Sequence, residues 1–276
     1  MSNHRTHYVT ASDGVTIGGT VHGQGPSLVF LQGVIGDGDL DWTPMLGHLT
    51  EKFTCHLPSL RGRGLSGSHP ALGTTRLIED ALTYVDSIGQ PTGLVGWSGG
   101  GTFALAVAAQ SDAVTAVAPF EPGILSLADE DVQAVIGNAI ARAGELAGQG
   151  RLADAARAFA AFPFHDEEIA AADEAGYFEA AGRYVPNLLN LLQQAMTSDD
   201  PTADPAVLGA ISAPVRVLLG SDTKPFFTTS AQYVANHVPH GHVHAIPGVA
   251  HAAPLTHPAA LAEAVIEFFA PAQQPA

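Results

Sequence analysis

Gly96-Trp97-Ser98-Gly99-Gly100 reads G-x-S-x-G, a spacing that sets one serine among glycines. A serine hydroxyl is a poor nucleophile at neutral pH. Acyl transfer through it needs a histidine to take its proton and a carboxylate to fix that histidine's tautomer. Preset N–H donors must also meet the developing oxyanion. The pattern alone is weak, because a chain with 30 glycines produces such spacings by chance. Its flanks carry more. Thr92-Gly93-Leu94-Val95 is apolar and long enough for a buried strand, and Gly101 to Gln110 is alanine-rich and proline-free, as suits a buried helix. Strand, sharp turn and helix together are the setting that holds a serine in a strained conformation, with glycine neighbours letting strand and helix approach.

The elements that must position such a serine alternate along the chain. Residues 6–10 and 14–22 read as two strands joined at Ser12-Asp13-Gly14, followed by the apolar strand Ser27–Leu31. That strand runs into the glycine-rich loop Gln32–Asp39, after which Thr43-Pro44 predicts a helix start, threonine as cap and proline in the first turn. Phe53–Leu57 is the next strand, then a loop from Pro58 to Gly67 and a helix from Thr74 to Ile88. Val114–Pro119 is a further buried strand, ending at Phe120-Glu121-Pro122-Gly123. From Ile124 to Ala203 the alternation stops, with helical stretches at 129–147, 151–162, 166–181 and 187–197. It resumes with strands at 214–219 and 242–246 and helices at 228–237 and 258–269. The reading is an α/β fold: a mostly parallel eight-stranded sheet with helices on both faces, its core formed by residues 1–123 and 204–276 and interrupted by a helical cap at 124–203. In such a sheet the ligand site lies at the C-terminal ends of the strands. Ser98, Glu121, Asp222 and His251 all fall there.

Composition narrows the partners. With 46% hydrophobic and 14% charged residues the chain is globular, and a net charge of −16 argues against nucleic acid or an anionic membrane surface. Cys55 is the single cysteine, so no intramolecular disulfide forms. The first residues lack an apolar signal region and no apolar run reaches membrane-spanning length, so the expectation is a soluble, cytoplasmic protein. A homo-oligomer is compatible with all of this. The histidines 237, 240, 242 and 244 invite a metal reading. Only His242 and His244 would share a strand face, however, and no carboxylate or thiol completes the set; no metal is expected. Asp37-Gly38-Asp39-Leu40-Asp41 lacks the ring-closing glycine and distal glutamate of a calcium loop and reads as the polar start of a helix.

The strand-turn-helix elbow at Gly96–Gly100, the loop Gln32-Gly33-Val34, the segment Arg61-Gly62-Arg63-Gly64-Leu65-Ser66 and the stretch Pro247-Gly248-Val249-Ala250-His251 together resemble the α/β-hydrolase family, over nearly the whole chain. Gln32 stands where the family usually has histidine, and Ser59 where aspartate is common. The resemblance implies Ser98 as nucleophile and His251 as base, with His257 as the fallback. It also implies oxyanion donors on the backbone N–H groups of Gly99 and Val34. Two acids remain open in the order serine, acid, histidine. The family's commoner spacing, Gly-x-x-Asp, puts Thr223 at the acid position and leaves Asp222 one residue early, which turns its side chain away. Glu121 follows the sixth strand, where a subset that includes fungal zearalenone-type lactonases carries its acid. Glu121 is preferred, with Asp222 as the alternative.

Serine in place of aspartate as nucleophile argues against haloalkane dehalogenase and epoxide hydrolase chemistry, and no cofactor is called for. A helical roof supplying Phe162, Tyr184 and Leu188, with Gly33, Trp42 and Trp97 from the core, would line an apolar pocket. This suits an ester or lactone of an apolar small molecule. The same residues serve a hydrolase of carbon–carbon bonds in ring-fission products, and a ligand-binding or sensor protein on this fold is the reading from another class.

Overall fold

The computed structural model describes residues 4–239 and 241–270. Eight strands form one sheet: β1 (Arg5–Thr10), β2 (Thr16–Gly23), β3 (Ser27–Leu31), β4 (Thr54–Pro58), β5 (Thr92–Trp97), β6 (Val114–Phe120), β7 (Val215–Gly220) and β8 (Gly241–Ile246). Their order is β1-β2-β4-β3-β5-β6-β7-β8; β1/β2 and β2/β4 pair antiparallel and the remaining pairs parallel. Helices α1 (Gly38–Leu49), α2 (Thr74–Ser87) and α3 (Gly99–Ala108) connect the first parallel strands. Between β6 and β7 lies a helical insertion of α4 (Glu130–Gly148), α5 (Leu152–Ala160), α6 (Asp166–Glu174), α7 (Tyr177–Ala181) and α8 (Val185–Ala195). Helices α9 (Pro205–Gly209), α10 (Pro225–His237), α11 (Ala253–Thr256) and α12 (Pro258–Phe269) complete the chain. The mostly parallel α/β architecture expected from the alternating pattern is the one observed.

Helix α10 starts at Pro225 where the sequence reading has 228, the short α9 and α11 are absent from that reading, and two further differences from it have local reasons. Helix α1 begins at Gly38, five residues before Thr43, because the Asp37 carboxylate caps it by accepting from Leu40 N at 2.8 Å; Pro44 then lies inside the helix. The stretch 166–181 is two helices, since Gly176 takes a left-handed conformation (φ 74°) that ends one and caps the next. Among the described residues no helix is long and apolar enough to cross a membrane.

The centre of the sheet is buried on both faces, while the edge strands β1 and β8 are largely exposed. Strands β3, β4 and β5 are buried at every position, and α3, the helix behind the elbow, is buried from Gly100 to Ala108. Cys55 lies within β4, where burial pushes its thiol up to about 12 and removes thiolate chemistry at neutral pH. Its neighbour His56 is also buried, and among the described residues neither ring nitrogen has a partner. Burial, with the nearby His7 and Arg5, holds the His56 imidazole down to about 4. Between pH 4 and 6.5 the unfolded chain therefore binds a proton that the folded chain does not, so this residue's contribution makes stability fall as pH drops through that window. His56→Phe is expected to narrow the difference between urea midpoints at pH 7 and pH 4.5. An unchanged difference would assign the acid sensitivity elsewhere.

Candidate active site

Register brings the first two groups together. β5 and β6 run parallel with Trp97 opposite Phe120, so Ser98 and Glu121, the residues that follow, lie side by side at the sheet's C-terminal edge. Ser98 N donates to Phe120 O at 3.0 Å and Glu121 N to Leu218 O at 3.0 Å. Both leave their strands in the left-handed region, Ser98 at φ 56° and Glu121 at φ 46°. They are the only non-glycine residues with positive φ among those described. Such backbone costs about 1–3 kcal/mol per residue and persists where the surroundings hold it. The close approach behind the elbow is held by glycine: a Cβ on Gly100 would stand 2.3 Å from the carbonyl oxygens of Leu31 and Gln32.

Glu121 is fully buried and its carboxylate takes three donors. Gly220 N reaches Oε1 at 2.9 Å, while the Thr223 hydroxyl and His251 Nδ1 reach Oε2 at 2.7 Å each. Thr223, at the spacing where the family's aspartate commonly stands, thus supports the glutamate from the neighbouring strand end. The sequence signal was that spacing itself. With Nδ1 donating to Glu121, the neutral ring carries its free lone pair on Nε2. The ring is also held by face-to-face contact with Phe227 (centroids 3.8 Å apart, planes 17°), and its carbonyl accepts from Trp97 Nε1 at 2.8 Å. Phe227 has no local signature; in sequence it is one more apolar residue ahead of the helix expected at 228–237, and it joins that helix because α10 starts three residues earlier, at Pro225.

Asp222 is placed elsewhere. Its side chain is exposed and accepts from the Ser221 hydroxyl at 2.8 Å, while its backbone carbonyl faces His165 Nε2 at 2.9 Å. His257 is exposed at the start of α12, beside Thr256. Of the histidine cluster, His240 lies outside the described residues. Among the described residues no three His, Cys, Asp or Glu side chains are placed to hold a metal ion.

Ser98 and His251 line one cavity together with Gly33, Val34, Gly99, Trp97 and Phe162. Among the described residues no hydrogen bond joins the two side chains, a common state for a catalytic pair that tightens on substrate binding. Gly99 and Val34 are immediate neighbours: a Cβ on Gly99 would meet Val34 Cγ1 at 2.6 Å. Neither backbone N–H has a protein acceptor among the described residues. Gly99 also opens α3, so its N–H carries the positive end of a ten-residue helix. Gln32 shows what replaces the family's usual histidine. Its amide donates to Gly36 O at 2.6 Å and its carbonyl accepts from Leu60 N at 2.9 Å, pinning the loop from within.

The rest of the cavity wall is apolar and aromatic, with Phe159, Phe164, Phe226 and Phe227 prominent. Asp200 is a polar exception, held by Thr202 N and Oγ1 and with its carboxyl pushed upward by burial. Three expected pocket residues are not on that wall. Trp42 packs behind Trp97 (ring centroids 6.4 Å apart), Leu188 is fully buried inside the insertion, and the Tyr184 hydroxyl turns away to Asp37. Helical spacing alone does not say which apolar face meets ligand and which meets protein.

A model of the alpha/beta hydrolase family matches residues 21–264. Among curated proteins none matches the sequence at a significant level. Solved structures share the fold. An alpha/beta hydrolase from Sphaerobacter thermophilus is 26% identical with a TM-score of 0.74, over 95% of this chain and 100% of that one. A thermophilic esterase from Thermogutta terrifontis is 20% identical at 0.74, over 96% and 97%. The 2-hydroxy-6-oxo-6-phenylhexa-2,4-dienoate hydrolase of Rhodococcus sp. strain RHA1 is also 20% identical at 0.74, over 96% and 99%. With the family's pattern matched from the second strand to the last helix, the chain belongs to the alpha/beta hydrolase family.

Proposed function

We propose that the protein is a serine hydrolase that cleaves a carboxylic ester or lactone of an apolar small molecule through an acyl-enzyme. The observation that carries this reading is the buried 2.7 Å contact between His251 Nδ1 and Glu121, with Ser98 on a strained turn facing the same cavity. Ser98 Oγ attacks the acyl carbon while His251 Nε2 takes its proton, and Glu121 stabilises the imidazolium. The N–H groups of Gly99 and Val34 receive the oxyanion, each such donor being worth about 3–4 kcal/mol of barrier. His251 then protonates the leaving alcohol. In the second half it deprotonates the water that attacks the acyl-enzyme and returns that proton to Ser98 Oγ as the Oγ–acyl bond breaks and the acid leaves, so the cycle closes on these groups without a cofactor. Residues 124–203 act as a cap, and their aromatic lining favours an apolar acid or alcohol portion over a peptide. The single, buried cysteine suits a cytoplasmic setting.

A substrate panel tests this directly. Esters, lactones and dienoic diketones of ring-fission type are offered, with mass spectrometry trapping the intermediate. The expected result is turnover of an apolar ester or lactone with an acyl mass increment on the peptide bearing Ser98. Turnover of diketones alone would move the protein to carbon–carbon bond hydrolysis. Tight ligand binding with no increment and no turnover would make it a binding protein.

A further inference from the structure

Two buried carboxylates join the helical insertion to the loops that carry the reacting groups. Asp41, wholly buried in α1, accepts from Gly33 N at 2.9 Å through Oδ2 and from the Tyr177 hydroxyl of α7 at 2.9 Å through Oδ1. Glu168 of α6 accepts from Ala252 N, the residue after His251, at 2.6 Å through Oε1, and from His165 N at 2.9 Å through Oε2. Each therefore spends one oxygen on the backbone of a catalytic loop and the other on the insertion. Arg63 holds the opposite side of the Gly33 loop. Its guanidinium donates to Val34 O at 2.7 Å and Gly36 O at 2.8 Å, and its Nε to Asn187 Oδ1 of α8 at 2.8 Å.

As plain stability devices these groups are poor choices. Burying a carboxylate costs several kcal/mol, and a well-packed apolar pair would hold two layers together as well. Burial raises the Asp41 carboxyl above the usual carboxylate range, and the hydrogen bonds donated by Tyr177 and Gly33 oppose that by favouring the ionised form. What a carboxylate supplies and an apolar contact does not is direction: it fixes where a backbone N–H points, and with it the peptide on either side.

The geometry points to Asp41 and Glu168 as positioning residues through which the seated insertion sets the aim of both the oxyanion loop and the histidine loop. This rests on the triad proposed above. The insertion then completes the reactive geometry and does more than cover it. Misplacing a reacting group by about 1 Å can cost 100-fold in rate.

The test uses Tyr177→Phe, which keeps the ring in the cavity wall and removes the hydroxyl, with Glu168→Ala and Glu168→Gln. Three quantities are read on the full chain: kcat and KM on the panel's preferred ester, the second-order rate of Ser98 labelling by a fluorophosphonate, and Tm. Tyr177→Phe and Glu168→Ala are expected to lower kcat and the labelling rate by about 10-fold or more, with KM within about 2-fold. Glu168→Gln keeps an acceptor for Ala252 N and is expected to recover most of that loss. If the variants lose Tm but keep the wild-type labelling rate and kcat per folded molecule, or change only KM, the carboxylates are structural ties and the inference is overturned. Wild-type protein that resists labelling removes the triad and this inference together; labelled wild type with unaffected variants removes the inference alone.

Discussion

Ser98→Ala is expected to lower kcat/KM on the hydrolysed ester by at least about 10⁴-fold and to leave Tm close to wild type. The loss is large because the covalent route disappears with the hydroxyl. What remains is binding and the oxyanion donors, which in serine hydrolases retain about 10³–10⁴-fold over water. The fold survives because the elbow is held through the backbone of residue 98. Ser98 O accepts from Gly101 N at 2.9 Å and its N donates to Phe120 O, and among the described residues the serine hydroxyl makes no hydrogen bond for alanine to lose. Alanine has the same Cβ, so the strain at φ 56° is unchanged. Steady-state kinetics and thermal unfolding on one preparation read both outcomes. A variant that still hydrolyses the substrate at wild-type rate would end the proposal.

The second large effect separates the two acids. Glu121→Gln is expected to reduce kcat by about 10³–10⁴-fold, and Asp222→Asn by less than about 3-fold. The Glu121 carboxylate receives three donors, from Gly220, Thr223 and His251. A glutamine must turn its own N–H₂ towards one of those donors. If it faces His251, the ring gives up its Nδ1 proton and carries it on Nε2, where it can no longer accept from Ser98. A 10⁴-fold loss corresponds to about 5.5 kcal/mol of barrier, the scale reached when the wrong tautomer is enforced. Asp222 has nothing comparable to lose, since among the described residues its exposed side chain accepts a hydrogen bond from Ser221 alone. The reverse ranking would reassign the acid to Asp222 and require the loop after β7 to rearrange.

Much of this was legible locally. The alternation of apolar strands and helices is written in periodicity, and it places four chemically able residues at one edge of a parallel sheet before any coordinate is known. The elbow is legible for the same reason: a strand, a turn tight enough to demand glycine, and a buried helix are all short-range features. The family resemblance rests on those segments too. Helix starts proved less readable. Thr43-Pro44 has the composition of a helix start, yet Asp37 captured Leu40 N first, and a cap already made outweighs a second one downstream.

The amino-acid order by itself determined the sheet, the strained serine and the small set of groups able to act beside it, because each depends on neighbours a few positions away. Only the tertiary structure set which of them meet. His251 meets Glu121 across 130 residues, and Glu168 reaches Ala252 across 84. Those pairings are decided by strand register and by how the insertion seats. The same holds for Trp42, Tyr184 and Leu188, which have the character of pocket residues and point elsewhere. A side chain's type states what it can bond to, and its partner is set by the packing of elements far apart in the chain.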